Sequence, residues 1–340
     1  MTNMRKPRII VDDNIPFIRG RLEASADVVY ADQFAFSPEL TADADALIIR
    51  TRTRCDEALL GQSRVGMIAT ATIGTDQIDL DWCASRGIRV RNAAGCNAPG
   101  VAQYVWSALL REGFDPQSHT IGIVGYGNVG SVVGEWAASL GCRVIVSDPP
   151  REAELRARGL DVRPLADVCA QADALTLHTP LTRTGRHATF HLIGDAELSL
   201  MRPGSIFVNA ARGSVADTDA ILRAIRERKI RAIIDTWEGE PHIRTDLLQA
   251  SRTATFHIAG YSFEGKQRAT RMALEAIGEY FGFTIPTSDL TGPYNGLPGL
   301  SAAEILASYD PAADDAALRA NPEAFDTLRA NYNFRHEPRC

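Results

Sequence analysis

The chain has 340 residues, of which 45% are apolar and 23% charged, and a net charge of −6. That length favours two domains, and an acidic balance with no large basic cluster excludes a nucleic-acid surface; the densest basic group, "RTRTR" (50–54), suits one small anion. No apolar run approaches the roughly 20 residues of a membrane helix, and six cysteines (55, 83, 96, 142, 169, 340) without CxxC or Cys/His spacing argue against a metal site and for reduced thiols.

The N-terminus, "MTNMRKPRIIVDD", runs almost directly into a strand-like stretch, so a cytoplasmic protein without a signal peptide is expected. Short β-branched runs then alternate with helical stretches, which predicts an α/β protein with parallel sheets. The first block has runs at 8–11, 27–31, 46–50, 66–71 and 88–92. The second has them at 120–125, 143–148, 174–179, 205–210, 231–235 and 253–257. Each block has enough strands for its own doubly wound sheet.

Between the blocks, "NAPGVAQYVWSALLREGF" (97–114) reads as a long helix leading from one domain to the other. Asn97 can cap it, the proline falls in its first turn, and apolar residues at 101, 105, 108 and 109 give it a stripe. A second helix, 265–283, follows the last strand and returns the chain to the first domain. Residues 284–300, rich in Pro, Gly and turn formers, read as a linker. The tail, 301–340, has helical stretches at "SAAEILASY" and near "EAFDTLRANY" and is too small for a core of its own, so it should pack on the chain or on a second subunit.

The second block opens on "TIGIVGYGNVG", a G-x-G-x-x-G at Gly125, Gly127 and Gly130 between a strand and a helix, with Asp148 at the end of the next strand, 23 residues on. Gly125 allows the tight turn, Gly127 the approach of a pyrophosphate, and Gly130 close packing of helix on strand. The helix N-terminus offers N–H groups to phosphate. A carboxylate at 148 suits ribose hydroxyls and repels a 2′-phosphate, which favours NAD over NADP, although Arg151 is near.

In open α/β sheets ligands bind at the carboxyl ends of strands. Three such ends in the second block supply an arginine (Arg212), an acid (Glu240) and a histidine (His257). Singly, each has a structural alternative: a surface arginine, a turn acid before Pro241, a satisfied buried histidine. Together, beside a nicotinamide fingerprint, they suit hydride transfer from a hydroxyl-bearing carbon. Histidine takes the O–H proton, a carboxylate supports the imidazolium, and an arginine forks onto a substrate carboxylate. His178 is the competitor, but its place before Thr179-Pro180 suits cofactor contact better.

These residues resemble the D-isomer-specific 2-hydroxyacid dehydrogenase family over nearly the whole chain. The motifs that carry the resemblance include "TATIGTDQID" (70–79), the interdomain helix, the glycine fingerprint, "LHTPLT", "MRPGSIFVNAARGSV", "DTWEGEP" and "HIAG". Further matches, "VDDNIP", "AAGCNA" (93–98), "SDPPR", "HIAGYSFEGK", "DDAALR" (314–319) and "FDTLRANYNFRHE" (325–337), are similar to the branch of that family acting on 4-phosphoerythronate in pyridoxal phosphate (vitamin B6) biosynthesis. The tail looks shortened relative to that branch.

The resemblance implies two doubly wound parallel-sheet domains and a short C-terminal dimerisation segment. A flavodoxin-like substrate domain is expected at 1–97 with 262–284, a Rossmann NAD domain at 98–261, and the dimerisation segment at 285–340. It implies a homodimer that binds NAD and a phosphorylated 2-hydroxy acid, with Arg212, Glu240 and His257 catalytic. Expected NAD contacts are Gly125, Gly127, Asn128, Val129, Gly130, Asp148, Thr179, Ala210, Asp235 and Gly260. Expected substrate contacts are Thr51, Thr72 and Tyr261, with Arg50 on the phosphate and Arg52 as a possible aid. Two other readings stand beside this one: the same chemistry on a glycerate or phosphoglycerate, and a non-enzymatic NAD-sensing protein.

Overall fold

The computed structural model describes residues 5–339. The chain divides into two compact units, Met1–Asn97 with Phe263–Tyr294, and Ala98–Ser262 with Asn295–Cys340.

The first unit holds five parallel strands: β1 (Arg8–Asp12), β2 (Asp27–Ala31), β3 (Ala46–Ile49), β4 (Met67–Thr70) and β5 (Arg89–Asn92). Their order is β2-β1-β3-β4-β5, the flavodoxin-like arrangement. Strands β3 and β4 are buried at every residue, which is why they read as unbroken apolar runs rather than as alternation. The edge strand β5, "RVRN", carries charges that discourage further pairing. Helix Phe263–Phe281 lays Ala269, Ala273, Leu274 and Ile277 against Ile9, Val11, Ile48 and Met67. The stretch after that helix, expected as a linker, belongs to this unit up to Tyr294. Ile285 and Leu290 are buried in the same core, and Arg21 grips Asp289 through two hydrogen bonds of 2.8 and 2.7 Å.

The second unit holds β6 (Thr120–Val124), β7 (Arg143–Ser147), β8 (Ala174–Leu177), β9 (Ile206–Asn209), β10 (Arg231–Ile234) and β11 (Thr253–Ala254). All pair in parallel in the order β7-β6-β8-β9-β10-β11. A parallel bridge from Val146 to Val162 adds a further position outside β7, which completes the order of the dinucleotide-binding fold. Helix Ala98–Arg111 is buried on every side from Ala98 to Leu109, not along a stripe alone. Its two polar side chains in that stretch, Gln103 and Ser107, are satisfied by the tail: Gln103 Nε2 donates to Ser308 Oγ (3.0 Å) and to His336 O (2.8 Å), and Ser107 Oγ to Tyr309 O (2.6 Å).

The tail forms three helices, Ala302–Ser308, Ala312–Ala320 and Phe325–Ala330, where two were expected. The additional one is Ala-rich and buries only Leu318. Leu318 and Phe325 lie within the core of the second unit, at 0% and 1% exposure. Arg319 donates to Leu248 O (2.6 Å) and Ser251 O (2.9 Å), closing the end of helix Thr245–Ala250. Asp315 Oδ1 accepts from the Ala254 N–H (2.7 Å), so the edge of β11 is covered. The five cysteines among the described residues are buried and form no disulfide with one another, and burial pushes the Cys55 and Cys169 thiols up to about 12; Cys340 lies outside the described residues. Among the described residues no helix is long and apolar enough to cross a membrane.

Candidate active site

The glycine loop after β6 has three geometric demands. Gly125 has φ +85°, and a Cβ there would lie 2.9 Å from His178 O. At Gly130 a Cβ would stand 2.1 Å from Gly125 O, so only glycine lets the helix approach the turn. Gly127 differs: a Cβ would meet nothing within 4 Å, and the helix it precedes, Asn128–Ser139, has no side-chain cap. A helix N-terminus without a side-chain cap, next to a glycine with open space where a Cβ would lie and with Asn128 and Val129 in its first turn, suits a phosphate. Asp148 Oδ2 accepts from the Tyr126 N–H at 2.8 Å, which fixes the carboxylate beside the glycine turn. Arg151 is spent elsewhere: it bonds both oxygens of Glu154 (2.9 and 2.6 Å) and Tyr126 O (2.5 Å). Thr179, just past β8, has a buried Oγ1 with no hydrogen-bond partner. An orphaned hydroxyl at a strand end beside an open helix N-terminus is what a bound dinucleotide would satisfy. The residues therefore fit that group.

The turn after β9 is organised by Asn209, a residue that sequence reading passed over as the last position of a strand. Its side-chain nitrogen donates to Arg212 O (3.1 Å), and its Oδ1 accepts from the Ala211 N–H (3.2 Å) and Thr236 Oγ1 (3.1 Å). The backbones of Ala211 and Arg212 are thus held by one buried amide. A Cβ on Gly213 would sit 2.0 Å from Trp237 O, so this turn and the "TWEGEP" turn after β10 are pressed together, and Arg212 and Glu240 come from adjoining loops.

His257 and Glu240 meet directly. His257 Nδ1 lies 2.7 Å from Glu240 Oε2, and Glu240 Oε1 accepts from the Trp237 N–H at 2.7 Å. Burial alone would raise the Glu240 carboxyl, but the His257 imidazole and the Trp237 N–H outweigh it and hold the group below the usual carboxylate range. Glu240 is therefore ionised near neutral pH, Nδ1 carries the proton, and Nε2 is left without a hydrogen-bond partner among the described residues. Other histidines differ here. His191 has both nitrogens beside acids, Nε2 at 2.7 Å from Glu238 and Nδ1 at 3.4 Å from Asp217. Burial pushes His178 down to about 3, so it is neutral throughout the working range, and its Nε2 meets Thr176 Oγ1 at 3.0 Å.

The strand expected to run to His257 ends at Ala254, and Asp235 is the reason. His257 sits at φ +61°, a conformation non-glycine residues adopt rarely. Its N–H bonds Asp235 O (2.8 Å), and the Asp235 carboxylate accepts from Ile258 N–H (2.8 Å), Ala259 N–H (2.9 Å) and Thr255 Oγ1 (2.7 Å). Because Thr255 gives its one hydrogen to Asp235, Tyr104 O–H must donate to Thr255 Oγ1 at 2.8 Å. Asp235, expected as a cofactor contact, is 1% exposed, and in this chain its carboxylate shapes the loop that carries His257 and Gly260.

Of the expected substrate contacts, Arg50, Thr51 and Thr72 stand at the carboxyl ends of β3 and β4 in the first unit, and Tyr261 is in the second. Arg50 Nε bonds the buried carboxylate of Asp12 at 3.0 Å, and Thr72 Oγ1 lies 2.6 Å from Thr70 Oγ1. Thr51 is exposed. The Tyr261 ring is edged by Tyr332 and Phe334, each at 6.1 Å, with the Arg329 guanidinium 5.6 Å over its face.

Residues 90–259 match the model of the D-isomer-specific 2-hydroxyacid dehydrogenase NAD-binding domain. The chain is 43% identical, over 97% of its own length and 97% of the relative's, to an erythronate-4-phosphate dehydrogenase of Bacteroides fragilis. It is 40% identical to one of Azotobacter vinelandii, covering 97% and 93% of the two chains. Among solved structures, the NAD-bound 3-phosphoglycerate dehydrogenase of Entamoeba histolytica superposes with a TM-score of 0.69 at 24% identity, over 85% of this chain and 100% of that one. A D-lactate dehydrogenase of Aquifex aeolicus, complexed with NAD and lactic acid, superposes with a TM-score of 0.65 at 21% identity, over 81% and 95%. The structures share the fold, and the sequence identities go further: the chain belongs to the D-isomer-specific 2-hydroxyacid dehydrogenase family and, within it, to the erythronate-4-phosphate dehydrogenases.

Proposed function

We propose that the protein oxidises 4-phospho-D-erythronate at C2 to 2-oxo-3-hydroxy-4-phosphobutanoate, as a step of pyridoxal phosphate biosynthesis. The observation that carries the reading is the 2.7 Å pair of His257 Nδ1 and Glu240 Oε2, which leaves Nε2 for a substrate hydroxyl. His257 Nε2 takes the C2 hydroxyl proton as the C2–H bond breaks. Glu240 stabilises the imidazolium that results, and Arg212 holds the substrate carboxylate and polarises the C2 oxygen. NAD⁺, when bound, supplies the hydride acceptor. Gly125, Gly127, Asn128, Val129 and Gly130 hold its pyrophosphate, Asp148 its ribose, and Thr179, Ala210 and Gly260 line the path to the nicotinamide. Arg50, Thr51, Thr72 and Tyr261 bind the phosphorylated end of the substrate.

An NAD-dependent assay tests the substrate assignment. 4-Phosphoerythronate should turn over with a kcat/KM at least about 100-fold above glycerate, lactate or erythronate, since losing a charged hydrogen-bonding group costs about 1.5–3 kcal/mol per contact. Equal turnover of the unphosphorylated acids, or a preference for 3-phosphoglycerate, would shift the reading to another hydroxy acid. No activity on any acid would favour an NAD-sensing protein.

The cofactor preference has its own test. With Arg151 neutralised by Glu154, the Asp148→Ala variant should weaken NAD by about 10- to 100-fold in KM and narrow the preference over NADP. An unaltered NAD/NADP ratio would remove Asp148 from the ribose site. The protein is also read as a homodimer, as the C-terminal segment suggests, and light scattering of the intact chain would return twice the chain mass.

A further inference from the structure

We infer that Arg335, far along the tail, is a positioning residue for the proposed reaction: it fixes the carbonyl edge of the loop that carries His257 and Tyr261. The inference rests on the reaction proposed above. The loop 257–261 has two polar edges. Its N–H edge is held by Asp235, whose backbone carbonyl accepts from His257 and whose carboxylate accepts from Ile258 and Ala259. Its C=O edge is held by a cation. Arg335 Nη1 donates to Ile258 O (3.0 Å) and Tyr261 O (3.2 Å), and Nη2 donates to Ala259 O.

The same guanidinium is anchored behind the loop. Nη2 also donates to Gly100 O (3.0 Å) and Nε to Gln103 Oε1 (2.9 Å), both on helix Ala98–Arg111. The Tyr309 ring lies 4.2 Å beneath it. The backbone bridges to the loop as well, Arg335 pairing with Ser262, whose Oγ donates to Glu337 Oε1 at 2.7 Å. A planar fork with five donors spread over three nitrogens can serve these five acceptors at once, whereas an ammonium has three donors on a single nitrogen. A residue held at φ +61° persists where its surroundings over-determine it. Here Asp235 and Arg335 do so from opposite edges, so the tail takes part in shaping the active site and is more than an appendage for assembly.

The test is Arg335→Lys in the full chain, with two readouts. Steady-state kinetics should show kcat lowered about 100-fold, with the KM for NAD and the Kd for NADH within about threefold, as expected for a misplaced base on an intact cofactor site. Amide hydrogen exchange should rise at least about tenfold for residues 257–262 and stay unchanged in helix Asn128–Ser139. Normal kcat with wild-type protection of the loop would overturn the inference. So would exchange that rises equally throughout, which would make Arg335 a general packing contact. If Arg335→Lys does not fold, Gln103→Met, which removes the acceptor orienting Nε, should show both effects in smaller degree, and normal values there would equally overturn it. The exchange arm needs no turnover: a wild-type chain inactive on 4-phosphoerythronate would sink the proposed reaction, while loop protection lost on substitution would still establish the clamp.

Discussion

His257→Asn is expected to lower kcat by about a thousandfold, the middle of the range for loss of a general base. Asparagine is the informative replacement. It tolerates the left-handed conformation that His257 occupies at φ +61°, so the loop should keep its shape while the proton acceptor is lost. It also keeps a side-chain donor for Glu240, whose other oxygen remains on the Trp237 N–H. The loss should therefore fall on the chemical step. NADH binding, followed by fluorescence, should stay within about threefold of wild type, because removing an interaction specific to the transition state lowers kcat without loosening the cofactor. Near-normal turnover with NADH still bound would remove His257 from the mechanism and return it to the class of satisfied buried histidines.

The second large effect concerns stability. Phe325→Ala should cost about 3–5 kcal/mol, the range for deleting a fully buried aromatic ring, and should lower the Tm by about 10 °C. The side chain is 1% exposed within the core of the second unit, so the substitution would leave a cavity there. Removing 295–340 altogether should leave no cooperatively melting protein. It strips Leu318 and Phe325 from the core, exposes the N–H of Ala254, and leaves Gln103 and Ser107 on a buried helix without their partners. Calorimetry and light scattering on the two forms check this. A truncated chain that stays folded and melts as the intact one does would show that the tail contributes to assembly alone. The present geometry argues otherwise, since Leu318 and Phe325 are buried in the core of the second unit and Asp315 and Ser308 bond Ala254 and Gln103.

Sequence alone determined the local signals. Strand positions were legible because buried parallel strands such as β3 and β4 are unbroken apolar runs, and the glycine loop because its three glycines fall at fixed spacing within six residues between a strand and a helix. Arg212, Glu240 and His257 were legible because strand ends are where an open sheet presents polar groups, and a polar residue ending an apolar run is visible in one dimension. Only the tertiary structure decided the rest. The end of β11 at Ala254 follows from the carboxylate of Asp235, 19 residues earlier, which captures the donors of the following loop. That Glu240 reaches Nδ1 and leaves Nε2 open depends on a 2.7 Å approach between two loops. The helix Ala312–Ala320 buries only Leu318, and a short alanine-rich run with one buried side chain does not say what it packs on. Arg335 meets the loop across more than 70 positions of chain, through backbone carbonyls that every residue possesses. Periodicity and motif report which side chains a segment carries, whereas hydrogen bonds to backbone carbonyls leave no trace in them. For this reason the residues proposed to react could be named from the chain, and contacts such as those of Arg335 and Asn209 could not.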